Sequence, residues 1–329
     1  QCFMSGMSAV VTDIKKICNS EAIAYVILAA GLSAVVLALT MDSFLVPVFF
    51  LLSIGMAIIY NLGTNFVSGE ISFITQALAA VLQLAVTMDY SIFLWHSYQE
   101  NQERFPGDKK RAMAHAISNT VSSVVASSVT TVAGFVAMCF MTFTLGLDLG
   151  IVMAKGVVLG VLCCVTVLPA MILTFDGALE KTRHRALIPK FDKMGTFATR
   201  KFPIFLVLFV VILIPAVYGY RNTNVYYDLA GTLPADLESV QANNKLEEDF
   251  NMGATHIILA SSDLSHKDAS NMIDEINDLD GVAVALGKDA ILGPAVPQEM
   301  LPADVKDMLD NGKLQMIYVM SEYKTASDE

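Results

Sequence analysis

The sequence predicts a polytopic α-helical membrane protein with about six spans, followed by a smaller α/β domain on the extracytoplasmic side. Three observations carry this expectation. Hydrophobic residues make up 54% of the 329, and the mean hydropathy is +0.56, more apolar than a soluble domain ordinarily is. The apolar residues are also unevenly placed: 21–220 hold nearly all the long runs, while 221–329 read like a soluble, acidic segment. Finally, short polar stretches interrupt the runs, as antiparallel neighbouring helices require.

A helix needs about 20 apolar residues to cross a hydrocarbon core of about 30 Å. Six windows meet that length: 22–40, 44–62, 73–96, 119–144, 149–174 and 203–220. Lys and Arg in short loops mark the cytoplasmic side. Arg104, Lys109, Lys110 and Arg111 lie between the third and fourth windows, and Lys181, Arg183, Arg185, Lys190, Lys193, Arg200 and Lys201 between the fifth and sixth. Those are eleven of the 21 basic residues. An even number of spans then places both ends outside, in agreement with the acidic last third.

That last third has its own pattern. Residues 255–261 read as a buried strand, 282–286 and 314–321 as strands, and 239–250, 267–279 and 303–309 as helices, a ferredoxin-like arrangement of βαβ type. The acidic face of 239–250, with Glu247, Glu248 and Asp249, is expected to be solvated. The formal net charge of -11 arises mostly after Arg221. Because Gln1 opens the chain, no basic n-region with a cleavage site follows, and 327–329 interrupt a domain, the sequence is read as an internal part of a longer one.

Several function classes are excluded. No stretch combines a basic face with interleaved aromatics, so nucleic acid is not an expected partner. His96, His115, His184, His256 and His266 form no i,i+4 pair, and no Walker loop is present, so neither a metal nor another cofactor is expected. The outer domain offers no nucleophile and base constellation for an enzyme. Cys139, Cys163 and Cys164 sit in apolar windows and pack as small hydrophobes. Cys2 and Cys18 have no metal-ligand spacing, and their pairing in an oxidising compartment is left open.

The candidate functional residues are polar groups inside the spans. Asp89 lies about sixteen residues from the outer end of the third window, on the order of 24 Å down. A carboxylate there costs about 2.5–3.5 kcal/mol on insertion scales and marks an ion or proton path, facing protein or water. The alternative is a neutral, hydrogen-bonded structural aspartic acid or one nearer the inner surface. Tyr90 is either a relay partner of Asp89 or an interface-belt aromatic. Ser127 and Ser128 of the fourth window fall at a similar depth, with Thr130 and Thr131 one turn outward; relay support and close helix packing both account for them. Lys155 lies about six residues, roughly 9 Å, from the outer end of the fifth window. Snorkelling or a local partner suits it better than a pair with Asp89.

At Asp89 the sequence resembles the mycobacterial-membrane-protein-large (MMPL) branch of the resistance-nodulation-division (RND) transporters. The matching segments are Val86 to Leu94 ahead of Tyr98-Gln99-Glu100, Thr130 to Phe135, Gly146 to Gly156 running on to Leu168-Pro169-Ala170, and Glu180 to His184. The resemblance implies that 1–20 end a first extracytoplasmic porter domain and 21–176 form a five-helix bundle, family helices two to six. By the same pattern 177–202 are a basic cytoplasmic linker, 203–220 are family helix seven, and 221–329 begin a second porter domain. Asp89 and Tyr90 would be one half of a proton relay whose counterpart lies in the second half of the transporter. Such families often carry Gly four residues before the Asp; Ala85 here implies slightly wider helix packing.

The function so implied is secondary active transport: export of lipids or other hydrophobic or amphiphilic compounds across a bacterial plasma membrane, driven by the proton gradient. Protons, membrane lipids and the substrate are the expected partners, and homo-oligomerisation is left open. The rival expectation is a lipid- or sterol-sensing or translocation-assisting membrane protein built on the same bundle.

Overall fold

The computed structural model describes residues 4–67, 69–184, 192–223, 231–288 and 309–323. Its membrane part contains α1 (Met7–Thr40), α2 (Leu45–Gly63, continued by a 3-10 turn, Thr64–Val67), α3 (Phe73–Arg104), α4 (Lys109–Met138) and α5 (Thr144–Thr174). The short α6 (Asp176–Lys181) and α7 (Asp192–Arg200) precede α8 (Phe202–Arg221). Among the described residues, α1 to α5 and α8 are the six helices long and apolar enough to cross a membrane, in agreement with the six windows. The chain divides into two compact units, one of Lys15–Leu213 and one of Gln1–Ile14 with Ile214–Glu329.

Several helix ends depart from the apolar windows for local reasons. α4 begins at Lys109 because Asp108 caps it, its carboxylate accepting the Arg111 N–H at 3.0 Å, and polar first turns continue a helix that has already been nucleated. It stops at Met138, and α5 starts at Thr144 after Phe143 turns extended. The windows put the break at 145–148 instead, since Phe140, Met141 and Phe143 are as apolar as the helices they separate.

Within the membrane unit α5 is the central helix, packing against α2, α3 and α4. The approach is close because α5 presents glycine. A Cβ on Gly156 would stand 2.6 Å from Asn61 Nδ2, and one on Gly160 2.3 Å from Thr87 Cγ2. α3 turns toward this groove a stripe spaced every fourth residue, Thr75, Ala79, Gln83, Thr87, Ser91 and Trp95, all buried. Rows at i±4 are one of the natural ridges of a helix surface, and small residues facing them let membrane helices touch. Toward the basic loops the core turns apolar, with Phe50, Leu94, Tyr98, Met113, Leu168 and Ile172 fully buried.

The basic-loop end of the bundle is closed by polar ties. Asp42, between α1 and α2, accepts the Trp95 indole N–H at 3.2 Å, pairs with Arg183 at 3.2 Å, and takes the His184 N–H on its backbone carbonyl. The Ser43 and Thr182 hydroxyls share a bond at 2.8 Å, and Lys109 pairs with Asp176 and Glu180 of α6.

The second unit holds α9 (Glu238–Phe250), β1 (Ala254–Ser261), α10 (His266–Asn277), β2 (Val282–Gly287) and β3 (Leu314–Ser321). The sheet order is β1-β3-β2 with both pairings antiparallel; β1 ends the order among the described strands, and its residues 255–259 are exposed where a buried strand was expected. β1 and β2 therefore run parallel with β3 between them, the split βαβ of ferredoxin-like folds, and α10 is the crossover. Ser265 caps α10 by accepting the Asp268 N–H, and Ile273 packs on Ala285, Ile317 and Val319. The expected helix at 303–309 lies outside the described residues but for Leu309. The start of α1 belongs to this unit: Asp13 accepts the Ser239 hydroxyl of α9 at 2.6 Å. Gly281 takes a positive φ of 82° directly under the Tyr323 ring, where a Cβ would stand 2.0 Å from the ring.

Candidate functional site

Asp89 sits on α3 between Thr87 and Ser91, yet it points the other way. Those two neighbours are buried against the bundle, while Asp89 is exposed. The helix explains this, because successive side chains are separated by about 100°. Asp89 lies in a second stripe, with Leu78, Leu82, Ala85 and Phe93, that is exposed along its length. Tyr90, one position on, is 3% exposed and packs in the bundle core. Consecutive members of the expected relay thus present themselves to different surroundings, and among the described residues no hydrogen bond joins them.

The hydroxyls of α4 are turned to their own helix. Ser128 donates to the Val125 carbonyl at 2.9 Å, and Thr130 and Thr131 both donate to the Ser127 carbonyl, at 2.7 and 3.1 Å. Such back-bonding is the usual resort of a hydroxyl with no outside partner. Ser127 and Thr130 are exposed, Ser128 is buried and Thr131 is half-buried. The structure brings none of the four into hydrogen bonding with Asp89.

Lys155 lies farther from the start of its helix than from the start of the apolar window. With α5 starting at Thr144 it is eleven residues in, roughly 16 Å. Its ammonium donates to the Asn65 Oδ1 of the 3-10 turn after α2, a local partner and not Asp89.

Charge alone did not reveal the main polar feature of the bundle. Asn61 of α2 and Gln83 of α3 are completely buried. Asn61 Nδ2 donates to Gln83 Oε1 at 2.9 Å, and Gln83 Nε2 donates to the Gly156 carbonyl of α5 at 3.0 Å. Thr87 donates to the Gln83 carbonyl at 2.7 Å, and Ser53 to that of Cys163 at 3.3 Å. One amide clasp thereby ties α2, α3 and α5. The signal was present in the sequence as amide side chains in the middle of apolar windows, which in lipid favour bonds across helices.

A cleft of 350 Å³ lies between α1, α2 and α3. Ile23, Val26, Ile27, Ile58 and Leu62 give it apolar walls, and Cys18, Asn19 and Gln76 add polar atoms. Among the described residues, no group of His, Cys, Asp and Glu is arranged to hold a metal.

Residues 1–201 match the MMPL family. The chain is similar to a Mycobacterium tuberculosis protein named a probable transport protein, MmpL12, at 26% identity over 261 residues, which cover 76% of this chain and 22% of the relative. It is also similar to membrane protein YdfJ of Bacillus subtilis, at 25% identity over 291 residues, covering 82% of this chain and 38% of the relative. The chain therefore spans well under half the length of either relative. With six apolar helices of spanning length and a family match that runs through all of α1 to α6 and includes Asp89 and Tyr90, this multi-pass membrane chain belongs to the MMPL family.

Proposed function

We propose that this chain is part of a secondary active transporter of a bacterial plasma membrane, exporting lipids or other hydrophobic or amphiphilic compounds at the expense of the proton gradient. The observation that carries the reading is Asp89, a carboxylate well inside an apolar helix that faces away from its own bundle and finds no hydrogen-bond partner among the described residues. A carboxyl so placed suits a helix packed against further protein, because lipid alone would not tolerate its charge. Protonation would change which helix arrangement is favoured, and a gradient acting on that difference does work. Family membership and the likeness to MmpL12 support transport as the general activity. In this reading the basic loops are cytoplasmic, Tyr90 supports Asp89 through the helix core, and protons, lipids and the second half of the transporter are the partners.

The test is Asp89→Asn in the full-length protein reconstituted in vesicles with an imposed pH gradient. Loss of gradient-driven transport with retained folding is expected; unchanged transport would reject the proposal. The cleft between α1, α2 and α3 favours a second reading, a lipid- or sterol-sensing role, since it offers apolar walls with polar atoms at the rim. A sensor would bind lipid with no dependence on the Asp89 carboxyl, so equal lipid binding and absent transport in both wild type and Asp89→Asn would select it.

A further inference from the structure

We infer that Asn61, Asn65 and Lys155 form a binding site for an internal water molecule, which joins Lys155 to the Gln83 clasp in one hydrogen-bonded chain. Each amide here has one orientation that suits its neighbours. The Gly156 carbonyl can only accept, so Gln83 must turn its NH2 to it and its oxygen to Asn61. Asn61 in turn must offer its NH2, which leaves Asn61 Oδ1 buried with no partner. From the other side the Lys155 ammonium can only donate, so Asn65 must turn its oxygen to it. Asn65 Nδ2 is then left buried with no partner.

The two orphans are complementary. One is an acceptor, the other a donor, and both residues face the same point of α5: Asn61 Nδ2 lies where a Cβ on Gly156 would stand, and Asn65 bonds the adjacent Lys155. Asn61 is 0% exposed and Asn65 7% exposed, so bulk solvent does not satisfy them. The occupant must donate and accept at once. A metal cation cannot use the Asn65 NH2 and is repelled by the ammonium, and an anion would face the Asn61 oxygen. Water meets both demands, and buried water is the usual partner of such leftover groups.

The surroundings give Lys155 a use for it. α2 and its 3-10 turn contain no acid and no other base, and α3 has no charge before Asp89, which faces away. On α5 the other charged side chain is Asp148, two turns toward the helix start, whose Oδ2 accepts the Ser72 N–H at 2.9 Å. No carboxylate among the described residues pairs with Lys155. The ammonium then relies on Asn65, whose amide is held in that orientation by the water it shares with Asn61. This site is separate from the Asp89 face, and it stands whether or not Asp89 carries protons.

The experiment is a double-mutant cycle on the full-length protein in lipid nanodiscs, read by thermal unfolding. Asn61→Leu and Asn65→Leu each remove one arm of the water and strand the other, so each lowers Tm. The double variant is expected to lose clearly less than the sum of the two, as sites sharing one partner do. Ser53→Ala combined with Asn65→Leu serves as the additive control. Additive losses for Asn61 and Asn65 would overturn the inference. If a variant fails to fold, a wild-type density map sharp enough to show waters decides the matter. A peak within about 2.7–3.2 Å of both orphan atoms supports the site, and a dry contact refutes it.

Discussion

Asp310 is the carboxyl through which acid is expected to loosen the α/β part of the second unit. Burial alone would raise its carboxyl, but the Lys288 ammonium at 2.7 Å, the Ser262 hydroxyl at 2.6 Å and the Gly312 N–H at 2.8 Å hold it down to about 2, against an ordinary 3.8. A carboxyl depressed in the folded state adds stability that is fully present above its unfolded pKa and disappears as pH falls through the folded one. The window is therefore from about pH 4 down to about pH 2. Amide exchange in β3 of the intact protein, corrected for its intrinsic rate, is expected to accelerate across that window. Asp310→Asn should erase the pH step and, by stranding a lysine that is 6% exposed, cost about 3–5 kcal/mol at neutral pH. A step that survives in Asp310→Asn would assign the acid limit to another group. Asp89 teaches a different lesson at this scale. Its place on an apolar helix was legible, because a charge interrupts an apolar run; its direction was not, because the phase of a helix is fixed by the neighbour it packs on.

At the scale of elements, the contact of α3 with α5 is the joint to test. Gly160 leaves no room for a methyl group beside Thr87 Cγ2, and overpacking a tight contact costs about 1–3 kcal/mol. Gly160→Ala is expected to lower the thermal stability of the bundle by that amount. Thr87→Ser removes the offending methyl and keeps the hydroxyl that bonds the Gln83 carbonyl, so the pair Thr87→Ser with Gly160→Ala should recover most of the loss. Failure of the rescue would mean that Gly160 matters for backbone freedom and not for space. The existence of these helices was readable because each carries a long apolar run, and the strands were readable from alternation and turn residues. The turn at 139–143 was hidden by apolar residues on both sides. The order β1-β3-β2 was hidden too, since alternation tells which face of a strand is buried but not which strand lies beside it.

For the whole molecule, the uncovered stripe of α3 poses the sharpest question. Leu78, Leu82 and Phe93 are 45%, 37% and 58% exposed, and with Ala85 they flank Asp89 along one side of the helix, opposite the stripe that meets α5. If lipid covered this side, the carboxyl would stand in hydrocarbon at a cost that membrane helices avoid. If the second half of the proposed transporter covers it, the apolar flanks become a helix interface and Asp89 becomes an interior group within reach of the proposed counterpart. The chain matches only 22% and 38% of the lengths of MmpL12 and YdfJ, which leaves ample protein in such relatives to supply that cover. Single cysteines at Leu82 and Phe93, introduced where no native cysteine is close in sequence, distinguish the two arrangements. In the full-length protein in nanodiscs, both positions should resist a lipid-soluble photoreactive carbene, which attacks a neutral thiol from within the bilayer, as strongly as a cysteine at the fully buried Leu94. In the 329-residue chain alone, Leu82→Cys and Phe93→Cys should label readily while Leu94→Cys stays protected. Equal labelling of the stripe in both proteins would place it against lipid and remove the structural basis for a relay between two halves.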